Sequence, residues 1–270
     1  MKRNDFSIID AHCHIYPYKI ALKATTATAE FYSNPPCHEG TTDKLLQIHK
    51  AAGIESAIIC SPPTTPKQVK SINSFLSDAV IRNQGHFAAL GALHPYSENL
   101  YEDFDSVLSH DMHGIKIHPD IQKIAADDKA WFPIYEFCED KGLPVLMHTG
   151  DYRFCFSNPD NVIPILKRFP RLVLVGAHLG YCTVWDNTIY RLLDFDNFYT
   201  DCSACFYTLG PEKSYKWIRE FGTERVAFGS DYPAFDPGDT VNLLLDMDFT
   251  EGELKDILYN NAKKVYHLND

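Results

Sequence analysis

The sequence has no apolar run approaching the roughly twenty residues of a membrane-spanning helix, and no GxGxxG follows its first apolar run. The first lack argues against a helical membrane protein, and the second against a dinucleotide-binding sheet. Positive charge is scarce: 25 Lys and Arg face 36 Asp and Glu, for a net charge of −11. Such a surface disfavours nucleic acid and anionic membrane as partners and leaves a small molecule as the expected ligand. The N-terminal stretch MKRNDFSIIDAHCHIYP lacks the apolar core of a secretory signal. Eight cysteines are scattered through a chain too large to need staples, which points to reduced thiols and a cytoplasmic protein. Cys202 and Cys205 form a CxxC, but the second pair that a structural zinc site would want is missing. Linkers, repeats and low-complexity tracts are missing as well, so residues 1–270 read as one domain, compatible with a homodimer.

What the chain does contain is alternation. Short β-branched runs at 6–14, 55–61, 86–94, 114–120, 143–150, 171–178, 197–203 and 225–231 are separated by helical patterns. The helices have readable ends. TDKLLQIHKAA stops at Gly53, Pro211 suits a first turn before a stop at Gly222, and Thr250 with Glu253 has capping-box spacing. Strands that each feed a helix pair in parallel, and eight of them favour a closed (β/α)8 TIM barrel over an open sheet. One connection stands out: from Ile15 to about Gly40 the chain is long enough to be a lid or binding loop.

In this architecture chemistry sits at the C-terminal ends of the strands. There the sequence places His12 and His14 on the first, His94 on the third, His118 on the fourth, His148 on the fifth, His178 on the sixth and Asp231 on the eighth. His12 and His14, two residues apart, share a strand face and form a two-toothed ligand. Gly176 and Gly229, two residues before His178 and Asp231, are expected to face the same interior and leave it room. Several imidazoles with one carboxylate make a borderline-soft donor set, suited to Zn2+ and tolerable for Mn2+ or Fe2+. The other histidines, His94 included, read as solvated, capping or packing residues.

The stretches IIDAHCHIYP, GIKIHPD, PVLMHTGD, LVLVGAHLG, FGSDYP and ILYNNAKKVYHL together resemble the amidohydrolase superfamily, within it the amidohydrolase-2 group. The resemblance runs from the first strand to the last helix. It implies a distorted barrel with a divalent metal at its mouth, held by His12, His14, His148 and Asp231. His178 would be a second-metal ligand or a catalytic hydrogen-bonding group. Lys116 lies where some members carry a carbamylated bridging lysine; a substrate contact and a buried ion pair are its other readings.

Metal-held water with Asp231 as ligand and general base, and His178 facing the oxyanion, suits hydrolysis of an amide, lactone or ester in a small, carboxylated metabolite. The alternative is a metal-dependent non-oxidative decarboxylase of an unsaturated or aromatic acid. Arg153 and Tyr152 follow His148 and are candidate substrate contacts, Arg153 through its carboxylate-matching fork. Tyr181, Trp185 and Tyr232 could wall the pocket, with Lys67 and Gln68 as weaker candidates.

Overall fold

The computed structural model describes residues 3–180 and 187–268. Its strands are short and parallel: β1 (Ile9–His14), β2 (Ser56–Cys60), β3 (Phe87–Ala89), β4 (Gly91–Ala92), β5 (Ile115–Ile117), β6 (Val145–Met147), β7 (Leu174–Gly176), β8 (Phe198–Asp201) and β9 (Val226–Ala227). Every run expected from the sequence is present, the third divided into β3 and β4. Pairing follows chain order, β1-β2-β3 in one sheet and β4 through β9 in the other. At the break, Leu90 N–H donates to Ile59 O (2.9 Å) and Gly91 N–H to Gly114 O (2.8 Å), so the ladder passes from one neighbour to the next. The ring closes beyond β9, where Ala11 N–H donates to Phe228 O (2.9 Å) and Cys13 bridges in parallel to Tyr232. The result is a TIM barrel.

Two apolar layers hold it. Ile9, Ala11, Ile58, Cys60, Leu90, Leu146, Val175 and Ala177 fill the inside of the ring. A larger layer, including Leu45, Leu76, Ile115, Ile134, Val162, Phe198 and Ile218, packs helices on its outside. The N-terminal end of the ring is plugged by Ala262, Val265 and Tyr266 from the last helical turns. The helix termini largely follow the sequence signals. Helix α1 spans Tyr18–Tyr32 and α2 spans Thr42–Ala52; Thr41 caps α2 and Gly53 ends it in the left-handed region. The Thr250–Glu253 capping box forms, although a π-turn over Asp256–Asn260 interrupts the final helix.

Two features were not legible beforehand. The long first connection is largely helical: α1 lies over the mouth, and its Thr25, Thr28, Ala29 and Tyr32 line the cavity there. The helix carries Thr25, Thr26 and Thr28 and exposes Tyr18 (86%) and Leu22 (72%), so it lacks the apolar stripe that marks a helix against a core. Second, β1 shifts register between Asp10 and Cys13. Ile9 and Ala11 point into the ring, so strict alternation would turn His12 outward. The bulge inserts one residue, sends Cys13 to the outer layer and brings His12 and His14 to the mouth.

Among the described residues, no helix is long and apolar enough to cross a membrane.

Candidate metal centre

A cavity of about 340 Å3 opens at the C-terminal ends of the strands, and His12, His14, Lys116, His118, His148, His178 and Asp231 all line it. Its other walls are mostly rings and small side chains, among them Tyr16, Tyr32, Pro36, Pro62, Tyr207 and Phe235.

His12 is the most constrained group. Its Nδ1 lies 2.9 Å from Asp201 Oδ2 and 3.1 Å from Ser203 Oγ. The carboxylate fixes the proton on Nδ1 and leaves the Nε2 lone pair facing the mouth, the arrangement that prepares a histidine for a cation. Burial, then the positive Lys116, push His12 down to about 4, so the ring is neutral at ordinary pH. Asp201 is itself fully used: its Oδ1 accepts His178 N–H (2.9 Å), Ser203 N–H (3.1 Å) and the Ser203 hydroxyl. Burial works to raise its pKa, but His12 and these donors hold it well below the carboxylate range.

The remaining donors gather around His12 Nε2. His14 Nε2 lies at 3.2 Å, Lys116 Nζ at 3.1 Å and Asp231 Oδ1 at 3.7 Å, with His14 and Asp231 3.4 Å apart. The His–His and His–Asp spacings are near the edges, about 3.0–3.4 Å, of a coordination polyhedron with bonds of about 2.0–2.2 Å. Burial opposes a proton on His14, yet the Cys60 sulfur, 3.6 Å from Nδ1, and Asp231 hold its pKa up to about 10. Asp231 stays ionised: burial raises its pKa, but His14, His178 and His12 hold it well below the usual range. These residues fit a divalent cation.

His148 stands beside this cluster. Its Nδ1 is 3.1 Å from His178 Nε2, and its ring stacks on His118 at 3.9 Å. Burial, together with neighbouring His118 and His178, holds its pKa well below normal. His178, in the left-handed region at φ 61°, also meets Ser203 Oγ at 2.8 Å and stacks on His12 at 5.4 Å.

The model of the family described as "Amidohydrolase" matches residues 9–268. The chain belongs to the amidohydrolase family. No curated protein matches it. Among solved structures, a TIM-barrel protein of Bordetella bronchiseptica is 20% identical at a TM-score of 0.80, over 97% of this chain and 99% of that one. A 5-carboxyvanillate decarboxylase of Novosphingobium aromaticivorans, complexed with manganese, is 15% identical at 0.77, over 99% and 100%. A 2,6-dihydroxybenzoate decarboxylase from Rhizobium is 15% identical at 0.70, over 97% and 99%. At these identities the likeness shows the shared fold.

Not every candidate from the sequence faces this amidohydrolase's cavity. Tyr152 is 73% exposed, and neither it nor Arg153 is among the lining residues. Arg153 instead pairs with Asp151 at 2.6 Å and donates to Phe31 O. Tyr232 is buried and donates to Thr41 O (3.1 Å), while Gln68 accepts from Thr64 and Thr65 N–H groups away from the mouth. Lys67 is exposed beside it. Tyr181 and Trp185 lie outside the described residues. Gly176 does not open toward the mouth, because a Cβ there would meet Phe198 Cζ at 2.6 Å. Gly229 does serve the site, since a Cβ would stand 2.9 Å from His12 Cβ. Cys202 and Cys205 are buried free thiols. The sequence reading also missed Asp201 and Ser203, although Asp201 ends an apolar run as Asp231 does. Tyr32 carried no signal, since its helix was unread.

Proposed function

We propose that this amidohydrolase is a metal-dependent, non-oxidative decarboxylase of a small unsaturated or aromatic carboxylic acid. Hydrolysis, the first expectation from the sequence, gives place to the alternative because neighbours that span the whole chain bear decarboxylase names. The observation that carries the proposal is one donor cluster, with Lys116 against His12, at the floor of a cavity walled by aromatic and prolyl faces. Such walls suit a flat apolar body, and the floor suits its carboxylate. Lys116, 3.1 Å from His12 Nε2, is placed as a positive group for that anion or as a structural partner of the cluster.

A divalent cation, manganese or zinc, held by His12, His14, Asp231 and His148, would supply positive charge against the acid's oxygens as the bond weakens. The carbon–carbon bond breaks, CO2 leaves, and the bonding pair stays on the ring or vinyl carbon, which takes up one proton. In this reading His178 delivers that proton; its Nδ1 lies against Ser203 Oγ and its Nε2 against His148 Nδ1. Asp201 keeps His12 in one tautomer, and the apolar walls exclude water from the carbanion. The substrate is a free small molecule and the setting cytoplasmic.

A second reading keeps support from Asp231. An ionised carboxylate 3.4 Å from His14 Nε2 is also placed to deprotonate a water for hydrolysis. Manganese-loaded protein is expected to release CO2 from one or more members of a panel of hydroxybenzoates and unsaturated acids, with deuterium from D2O entering at the vacated carbon. Turnover of lactones or amides with no CO2 from any acid overturns decarboxylation in favour of hydrolysis.

A further inference from the structure

We propose that Tyr32, carried over the mouth by α1, contacts the substrate and donates a hydrogen bond to an oxygen of the bound acid, with Arg153 as the residue that positions it. The inference rests on the reading of the cavity as a site for a small carboxylic acid.

Thr25, Thr28, Ala29 and Tyr32 line the cavity at helical spacing, so one face of α1 forms its roof. Thr25 Oγ1 donates to the backbone carbonyls of Ala21 (2.7 Å) and Glu39 (2.9 Å), and Thr28 Oγ1 to Ala24 O (3.1 Å). Those hydroxyls are directed at backbone carbonyls, which makes Tyr32 the side chain of that face with a polar tip toward the histidines.

The direction of the Tyr32 hydrogen bonds follows from His118. Its Nδ1 accepts Ile121 N–H at 3.3 Å, so the ring proton is on Nε2. Nε2–H therefore donates to the Tyr32 phenol oxygen at 2.5 Å. The phenol accepts there and is oriented to donate its own proton, on the side where His148 Nε2 lies at 3.5 Å. A substrate seated over the metal cluster meets that proton.

Arg153 secures the geometry from the loop that follows β6. Its Nε and Nη2 donate to Asp151, at 2.9 and 2.6 Å, and its Nη1 donates to Phe31 O at the end of α1. The guanidinium also covers the Phe31 ring at 4.6 Å and the Tyr32 ring at 5.4 Å. The loop that begins at His148 thus ties down the helix that brings Tyr32.

The test is calorimetric titration of manganese and of salicylate into the wild type, Tyr32→Phe and the double variant Asp151→Asn/Arg153→Met. The double change avoids stranding a buried carboxylate without its cation. Tyr32→Phe is expected to weaken salicylate binding to the manganese-loaded protein by about tenfold, with manganese affinity within about twofold of wild type. The double variant is expected to weaken salicylate by a smaller factor, again without loss of manganese, and on a turned-over acid to raise KM more than it lowers kcat. Salicylate binding unchanged in Tyr32→Phe overturns the inference, as does loss of manganese in that variant. Failure of the wild type to bind millimolar salicylate overturns it too. Tyr32-dependent salicylate binding with no CO2 from any acid supports the contact and removes the decarboxylase reading. CO2 release indifferent to Tyr32→Phe does the reverse.

Discussion

The two ends of this barrel are built from the same strands and solve opposite problems. At the N-terminal end, Ala262, Val265 and Tyr266 close the ring with apolar surface, and the interior above them is aliphatic. At the C-terminal end, His12, Lys116, His148 and Asp201 are just as buried, yet each is polar. Burying such groups is costly unless they are paired, and here they are paired mainly with one another. The base is therefore expected to tolerate no loss of apolar surface without a cost in stability. The mouth carries groups with displaced pKa values, a pattern that clusters at functional sites.

Changes at the two ends should separate stability from activity. The largest expected effect is Asp231→Asn. It should lower turnover of whichever acid of the panel releases CO2 by about 10^3-fold while moving the melting temperature by only a few degrees, as read by steady-state kinetics beside calorimetry. Comparable turnover in that variant would remove Asp231 from the chemistry. Next is Tyr266→Ala at the base, where Tyr266 is 1% exposed. Loss of its ring should cost about 3–5 kcal/mol of unfolding free energy in denaturant titration, with the kcat of the folded fraction unchanged. A change in kcat as large as the one at Asp231 would break the division between the ends.

The smallest effect concerns pH. Burial, then neighbouring His49, lowers the pKa of His86 at the base from 6.5 to about 4. Between those values the unfolded chain binds a proton that the folded protein refuses, so this group's stabilisation is lost as pH falls through the window. Because His86 is only partly buried, the loss is about 1–2 kcal/mol. His86→Gln should flatten that part of the stability profile relative to wild type, and parallel profiles would count against it.

Much of the architecture could be read along the chain because strands and helices advertise themselves locally. Every strand run expected from period and β-branching is present, and Thr250 with Glu253 forms its box as spaced. The donors at the mouth were equally visible, since His12, His14, His148, His178 and Asp231 all end apolar runs. Arg153 illustrates the limit. Its fork suits a carboxylate, but a sequence cannot say whose, and the carboxylate it holds is Asp151, two residues away. Asp201 was passed over although it orients His12 from 189 residues away in sequence.

Residue types and their period thus determined, without help, the parallel barrel and the kinds of atoms gathered at its mouth. These follow from propensity and from which side chains water rejects, both properties of short segments. Tertiary structure alone decided that a bulge in β1 turns His12 inward, that a threonine-rich helix roofs the site, and which partner each buried ring keeps. Those outcomes depend on register and on contacts between distant segments, and no local window of the sequence holds both halves of them.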